Sequence, residues 1–347
     1  MGSLEPKLAR VLRVALPLCL LSARCGDATP DLPAAAAPPS GAFALPATLV
    51  SPLGMPLEPL PATAEQEKRI RGADARLAAD PRSVDLMVEA ALAREAVWRY
   101  RESTEFYTRA LEVTPDDYRL HLNRAHRTLR LRLFDWALAD LEHAKELDPY
   151  GFNTAYLLGF TRYATGDFSR AADEYGRCMA LAEDQAVLAL AAAGEVPGDP
   201  RSCMQIATDN ASRVAITAWR YRALRRAGRV DEATRLLEAV PSDLDLSGAG
   251  GGYSESTIKP DFENIHYYET LLFYRGLRTE EQILDRQRWA EQWSTVAYGV
   301  AAWRLIEGDQ AGATALMEEI VAEPYWARLG HVAAEADLVR LGAAEAR

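Results

Sequence analysis

Cysteine and histidine are both scarce. Four cysteines, at positions 19, 25, 178 and 203, are spread over 347 residues, and no pair stands at the close spacing of a zinc site. The five histidines are His121, His126, His143, His266 and His331. No two of them flank a glutamate at helical i, i+4 spacing. His121 and His126 are separated by about 500° of helical rotation and share no face. A G-x-S-x-G nucleophile elbow is also missing. The many acids scatter as solvated helix faces do, so spacing selects no acid–base pair. These absences leave no metal, no cofactor and no catalytic residue to name. Positive charge is in the minority as well: 39 Lys and Arg stand against 50 Asp and Glu, for a net charge of −11. Residues 1–25 hold Lys7, Arg10, Arg13 and Arg24 against Glu5, a balance of 4 − 1 = +3, so the remainder stands at −14. An acidic body of this kind is repelled by phosphate backbones and anionic lipid, which argues against a nucleic-acid partner. The basic run Arg220, Arg222, Arg225, Arg226, Arg229 reads as a solvated helix face.

What the chain does have is a period. Tyr100, Phe134 and Phe168 stand 34 residues apart. The same step separates Ser103, Ala137 and Ala171, then Tyr107, Leu141 and Tyr175, then Ala110, Ala144 and Cys178. Pro115 and Pro149 keep it too. A unit of this length, with small residues at two crossings, aromatics beside them and a closing proline, is a helix–turn–helix repeat. One such hairpin cannot bury its apolar stripe alone, so neighbours must stack. Small side chains at the crossings let helix axes approach to about 8–10 Å. The prolines end their helices by lacking an N–H and by disfavouring helix at the preceding residue.

The run Ala155, Leu158, Gly159, Gly166, Asp167, Phe168, Ala171, Tyr175, Cys178 resembles a tetratricopeptide repeat (TPR). Repeat one spans 84–117, repeat two 118–151 and repeat three 152–185. The eighth position of each, small in the family, holds Ala91, Ala125 and Gly159. The eleventh, usually aromatic, departs from the pattern as Arg94, Thr128 and Arg162. The resemblance implies an all-α, TPR-type solenoid of αα-hairpins with a concave face that takes a protein or peptide. Positions two, five, nine and twelve of the first helix would line that face. In repeat two these are Arg119, Leu122, His126 and Leu129, with Arg130 adjacent; in repeat three they are Asn153, Tyr156, Phe160 and Tyr163. Rings would anchor a peptide and polar groups would set its register. Either the helix at 64–79 or the C-terminal half could instead cover them.

The N-terminus reads as an export signal to a bacterial periplasm or envelope. Three basic residues precede the apolar run Val14–Leu21, which is too short to span a bilayer. Two fates are open. Leu21–Asp27 resembles a lipoprotein signal with Cys25 as the lipid-bearing residue, although Arg24 stands where that family places a small side chain; alternatively Gly26–Asp27–Ala28 offers ordinary cleavage. A lipid on Cys25 would be the chain's link to a membrane. Residues 26–62 read as a disordered Pro/Ala-rich linker, with nine prolines between 30 and 61.

From Ala64 helical spacing returns as a capping helix through Ile70, Ala73 and Leu77, so that 63–185 comprises a cap and three repeats. Residues 186–211 read as an insertion loop, and 212–347 as divergent helical repeats ending in a capping helix, with a worn fourth repeat near 212–241. The glycine run 247–252 lacks both a preceding strand and a P-loop lysine, and reads as a linker rather than a phosphate cradle. Cys178 and Cys203 bracket the insertion. They invite a disulfide in an exported protein, whereas Cys178 also suits its small-residue slot as a buried thiol.

The leading functional expectation is a non-catalytic adaptor. One alternative is an enzyme with a pocket in 209–347 built on His266, Tyr268, Glu269 and Tyr274. Burial of Tyr268, Leu271 and Leu272, with His266 contributing to no cavity, would speak for repeat packing; His266 converging with acids would speak for the enzyme. Another alternative is a self-associating structural protein using Trp289, Trp293 or Trp303. The sequence sets no oligomeric state and names no partner.

Overall fold

The computed structural model describes residues 45–46, 48–194, 202–246, 264–289 and 292–345. The signal segment, Cys25, the first part of the linker, and the glycine run lie outside the described residues.

Helix α1 (Ala64–Ala79) opens on a capping box, in which Thr63 and Gln66 satisfy each other's backbone N–H. Then come three hairpins: α2 (Val84–Glu95) with α3 (Tyr100–Val113), α4 (Tyr118–Arg130) with α5 (Phe134–Leu147), and α6 (Phe152–Ala164) with α7 (Phe168–Leu181). Their first helices start at 84, 118 and 152 and their second at 100, 134 and 168, a 34-residue step in both series. After α8 (Gln185–Ala192) and a 3₁₀ turn at 203–207, α9 (Asn210–Arg226) and α10 (Val230–Glu238) form another hairpin. Helix α11 (Ile265–Tyr274) leads through the short α12 (Glu280–Ile283) and α13 (Arg286–Trp289) to α14 (Trp293–Ile306) with α15 (Gln310–Val321), and α16 (Leu329–Glu345) ends the series. From α1 to α7 each helix packs on its chain neighbours, and beyond them α7 and α11 both pack on α9 and α11 also on α14; the fold is an all-α solenoid of helical hairpins.

One turn recurs between paired helices. In repeat three Gly166 adopts φ +90°, its N–H reaches the Tyr163 carbonyl, and the Asp167 N–H reaches the Arg162 carbonyl. That is a left-handed helix cap of the Schellman type, which glycine enters without steric cost. Gly228, Gly276 and Gly308 repeat it. In repeats one and two the same place holds Trp98 (φ +59°) and Arg132 (φ +62°). For a residue with a Cβ this region costs about 1–2 kcal/mol.

At the crossings, Ala91, Ala110, Ala125 and Ala144 are fully buried, and at Gly159 an added Cβ would stand 2.5 Å from the Tyr175 ring. Of the eleventh positions, Arg94 and Arg162 act through charge, whereas the Thr128 hydroxyl donates to backbone carbonyls of its own helix. Arg94 bonds Glu102 of α3 at 2.8 Å and Asp74 of α1 at 3.0 Å. Arg162 pairs with Glu142 of α5 and stands 3.7 Å from Glu174 of α7. Ion pairs thus tie helices where the family uses rings. Behind them Arg127 and Glu95 form a fully buried pair, and Glu95 also accepts from the Ser103 hydroxyl at 2.8 Å.

Cys178 Sγ is bonded to Cys203 Sγ, with Cα atoms 5.1 Å apart. The Cys203 N–H also reaches the Tyr150 carbonyl at 2.8 Å, so the far end of the insertion is pinned to repeat three.

The solenoid closes on itself. Arg132 bonds Glu335 at 2.7 Å and the Trp326 carbonyl at 2.7 Å. Trp326 meets Trp98 and Tyr100 edge-on, with centroids 5.4 and 5.7 Å apart. Asp337, fully buried on α16, takes Arg226 at 2.7 Å, Arg340 at 2.6 Å and the Tyr298 hydroxyl at 2.8 Å. Arg340 in turn donates to the Ala164 carbonyl of α6 at 2.6 Å. Part of the Pro-rich stretch expected to be disordered joins this closure, which corrects that expectation for residues 48–61. Leu57 is buried beside Trp326, the Leu60 N–H reaches the Val97 carbonyl, and the Glu58 carbonyl accepts from the Trp326 indole at 2.7 Å. Proline forbids helix here but permits a turn, and Leu49 and Leu57 supply the apolar contacts that hold one.

Candidate functional site

The first helix of each hairpin presents a face to the inside of the superhelix, and between α4, α6 and α9 that face is only partly filled. A cavity of about 160 Å³ remains, many times the room that one water requires. Helix α4 contributes Leu122, Asn123, His126 and Arg130; α6 contributes Phe152, Asn153, Tyr156 and Leu157; α9 contributes Ser212 and Ala215. The opposite wall comes from outside the three repeats: Asn264, His266 and Tyr267 around the start of α11, Gln292 and Thr295 at α14, and Arg328 and Leu329 at α16.

Of the residues expected on the concave face, Leu122, His126, Arg130, Asn153 and Tyr156 line this cavity. The other four stand elsewhere. Arg119 turns outward to Asp117, which accepts from it at 2.7 Å. Leu129, Phe160 and Tyr163 are wholly buried. For Phe160 and Tyr163 the cause is plain: Trp219 of α9 meets Phe160 at 4.8 Å and Tyr163 at 5.3 Å, and Tyr298 of α14 stacks on Trp219 at 5.8 Å. The C-terminal helices fill half of the groove with rings and leave the other half open.

A hydroxyl network divides the two halves. Tyr156 Oη stands 2.8 Å from Tyr267 Oη, and the Trp219 indole N–H donates to Tyr156 at 2.9 Å. Burial, then Tyr267 and Tyr175, hold the Tyr156 phenol well above its ordinary range, so it stays protonated. Behind Tyr267 lies Arg222, 1% exposed, with its guanidinium 4.0 Å from the Trp219 ring centroid and its Nε on the Ala218 carbonyl at 3.0 Å. Among the described residues no carboxylate pairs with it; aromatic faces carry its charge.

At the mouth, burial first, then Arg130 and Arg127, push His126 well below the usual imidazole range, opposed by Glu95. His126 is therefore neutral near pH 7. Arg130 stands over the Tyr100 ring at 5.8 Å and reaches only the His126 carbonyl, at 3.3 Å. No Asp or Glu is among the described residues lining the cavity. Nearby acids are engaged: Asp209 accepts from the Ser212 hydroxyl at 2.5 Å, and Glu335 holds Arg132 and His331.

The C-terminal candidates do not converge. Tyr268, Leu271 and Leu272 are buried as repeat packing requires, whereas His266 does contribute to a cavity. Among the described residues that line this cavity there is no acid. Glu269 instead binds Arg278 at 2.6 Å and Arg288 at 3.0 Å, Tyr268 donates to the Pro241 carbonyl, and Tyr274 to the Gly299 carbonyl. Trp289 and Trp293 are buried, with their indoles on the Ile283 and Leu284 carbonyls. Trp303 stacks on Tyr274 at 5.3 Å. These rings are structural, which removes the basis for self-association through them. Sequence reasoning missed Arg328, Asn264 and Gln292, whose places depend on closure of the solenoid and not on the period.

No family model matches the chain. A similar protein is the small glutamine-rich tetratricopeptide repeat-containing protein 2 of Saccharomyces cerevisiae, 32% identical over 91 residues, which are 26% of this chain and 26% of that protein. The match spans about a quarter of that relative's length. A weak homologue of this helical repeat array is thus a TPR-containing protein.

Proposed function

We propose that this chain is a non-catalytic interaction scaffold that anchors a segment of a partner protein in the half-open pocket of its concave face. The observation that carries this reading is that Leu122, His126, Asn153 and Tyr156, which the TPR resemblance directs to the groove, converge on one cavity. A TPR-containing homologue supports it, since stacked hairpins of this kind present extended binding surfaces. The acid of the alternative catalytic cluster, Glu269, is engaged by two arginines, which favours the scaffold over the enzyme.

The scaffold is proposed to act after export to a bacterial envelope. Lys7, Arg10 and Arg13 before an apolar run support this, and so does a disulfide between Cys178 and Cys203, a bond that persists in oxidising compartments.

The test uses the full chain as bait on extract, beside an Asn153→Trp variant that fills the pocket from a partly exposed position. A partner retained by the parent and lost by a variant with an unchanged circular dichroism spectrum supports the reading. An identical catch from both proteins refutes it.

A further inference from the structure

The pocket's chemistry goes further than its shape. We propose that it is a receptor site for a small organic anion: a free carboxylate carried on an aromatic or branched apolar body.

Charge is the first argument. The chain is acidic, at −11, yet the described lining of this one cavity includes Arg130 and no carboxylate. Arg130 is only partly buried and has no acid partner among the described residues; its one hydrogen bond is to a neutral carbonyl. An arginine held in this way is set to receive a planar two-oxygen anion through paired N–H donors. Arg222 provides the independent second observation. It is 1% exposed, its Nη1 has no hydrogen-bond partner, and it stands 6.0 Å from the centroid of Tyr267, a ring of the pocket wall. Its charge, carried by aromatic faces and paired with no carboxylate among the described residues, adds a positive field behind that wall, which a low-dielectric surround strengthens.

The second argument is the body of the ligand. Phe152 and Tyr156 stack at 5.8 Å along one wall, and Leu122, Leu157 and Leu329 give apolar surface around them. Side-chain amides of Asn153, Asn264 and Gln292 stand at the lining to orient polar atoms. A few placed polar groups in an apolar cleft is the usual make-up of a small-molecule site. The third argument is enclosure. Helices α4, α6 and α9 form one side, and α11, α14 and α16 the other, so the half-open pocket has two facing walls between which a small body can be held. The inference rests on the pocket being open and not on a partner protein occupying it.

The probe is benzoate, with benzamide as its neutral counterpart of the same shape and acetate as the anion without a ring. Ligand-observed NMR titrations on the full chain read the Kd of each. Benzoate is expected to saturate in the millimolar range, with benzamide and acetate each about tenfold weaker. Arg130→Gln should weaken benzoate by a similar factor while leaving benzamide unchanged. Arg109→Gln, on an exposed helix face outside the pocket, should change nothing. Asn153→Trp, which occludes the cavity, should abolish saturation with a retained helical spectrum. Equal affinity for benzoate and benzamide, or an unaffected Arg130→Gln variant, overturns the proposal, as does no saturation by any of the three. Failure to capture a partner from extract leaves these titrations untouched, so the two readings fail separately.

Discussion

Glycine-to-alanine substitution at Gly159 and at Gly72 makes the packing argument measurable, because the same chemical change should act with opposite sign. Both glycines are within helices, and alanine there gains about 0.5–1 kcal/mol from backbone entropy. At Gly72 of α1 the new Cβ meets only the Arg76 guanidinium, 3.5 Å away at the end of a flexible side chain. The gain should be kept. At Gly159 of α6 the Cβ would stand 2.5, 2.6 and 2.9 Å from three carbons of the Tyr175 ring. That ring is wholly buried and lies 6.4 Å from Tyr156, so it cannot swing aside. Overpacking of this kind costs about 1–3 kcal/mol, and subtracting the helix gain leaves a net loss of about 0.5–2 kcal/mol. Urea unfolding followed at 222 nm reads both as shifts in midpoint at constant slope. Gly159→Ala should move it down and Gly72→Ala up. Adding Tyr175→Leu to Gly159→Ala should recover part of the loss, a coupling that distant sites would not show. A Gly159→Ala protein as stable as its parent would refute tight crossing of α6 and α7.

Three further outcomes follow from the closure, the pocket and the disulfide. Arg132→Gly relieves about 1 kcal/mol of left-handed strain but leaves the buried Glu335 with His331 and without its arginine, at a cost of about 3–5 kcal/mol; urea unfolding should show a net loss of about 2–4 kcal/mol, and a gain would mean that the Arg132–Glu335 pair contributes nothing. His126 has a folded pKa below its unfolded one, so the unfolded chain takes up the proton first: its contribution is whole above about pH 6.5 and is lost as pH falls from there, at up to about 1.4 kcal/mol per pH unit. His126→Gln should flatten the stability profile between pH 6.5 and 5.5, above the range in which carboxylates titrate, and an unchanged slope would refute burial of a neutral imidazole. Cutting the Cys178–Cys203 link, 25 residues apart, by Cys203→Ser should cost about 3.5 kcal/mol in the chain-entropy account, read as a midpoint shift that reductant reproduces in the parent; equal stability of oxidised and reduced parent would refute it.

How much of this was legible depended on range along the chain. The hairpins were, because a packing slot recurring every 34 residues leaves its mark at Tyr107, Leu141 and Tyr175 regardless of what else the chain does. Half of the groove assignment was legible for the same reason. The burial of Phe160 and Tyr163 was not, since Trp219 and Tyr298 reach them from 59 and 135 positions away and follow no period. Nor did composition show that Leu57 and Glu58 anchor a proline-rich segment to Trp326, a contact across 268 residues. Arg94 and Arg162 looked like losses of an aromatic slot, and the acids that answer them, on neighbouring helices, become partners only once the hairpins stack.

One signal was present in the sequence and concerns the closure directly. The 34-residue step carries Gly166 back onto Arg132 and Trp98, so two of the three aligned turns place a large residue where the backbone favours glycine. Such strain persists only where the surroundings over-determine it. Here both side chains meet the same residue: Trp98 packs edge-on against Trp326, and Arg132 binds its carbonyl and stands 5.7 Å over its ring. The first two repeats thus accept a turn penalty to hold the segment that leads into α16. That segment ends at Arg328, which with Leu329 at the start of α16 completes the pocket wall. Loosening the turns at 98 and 132 should therefore loosen the hold on Trp326 and, with it, the pocket wall that Arg328 and Leu329 complete.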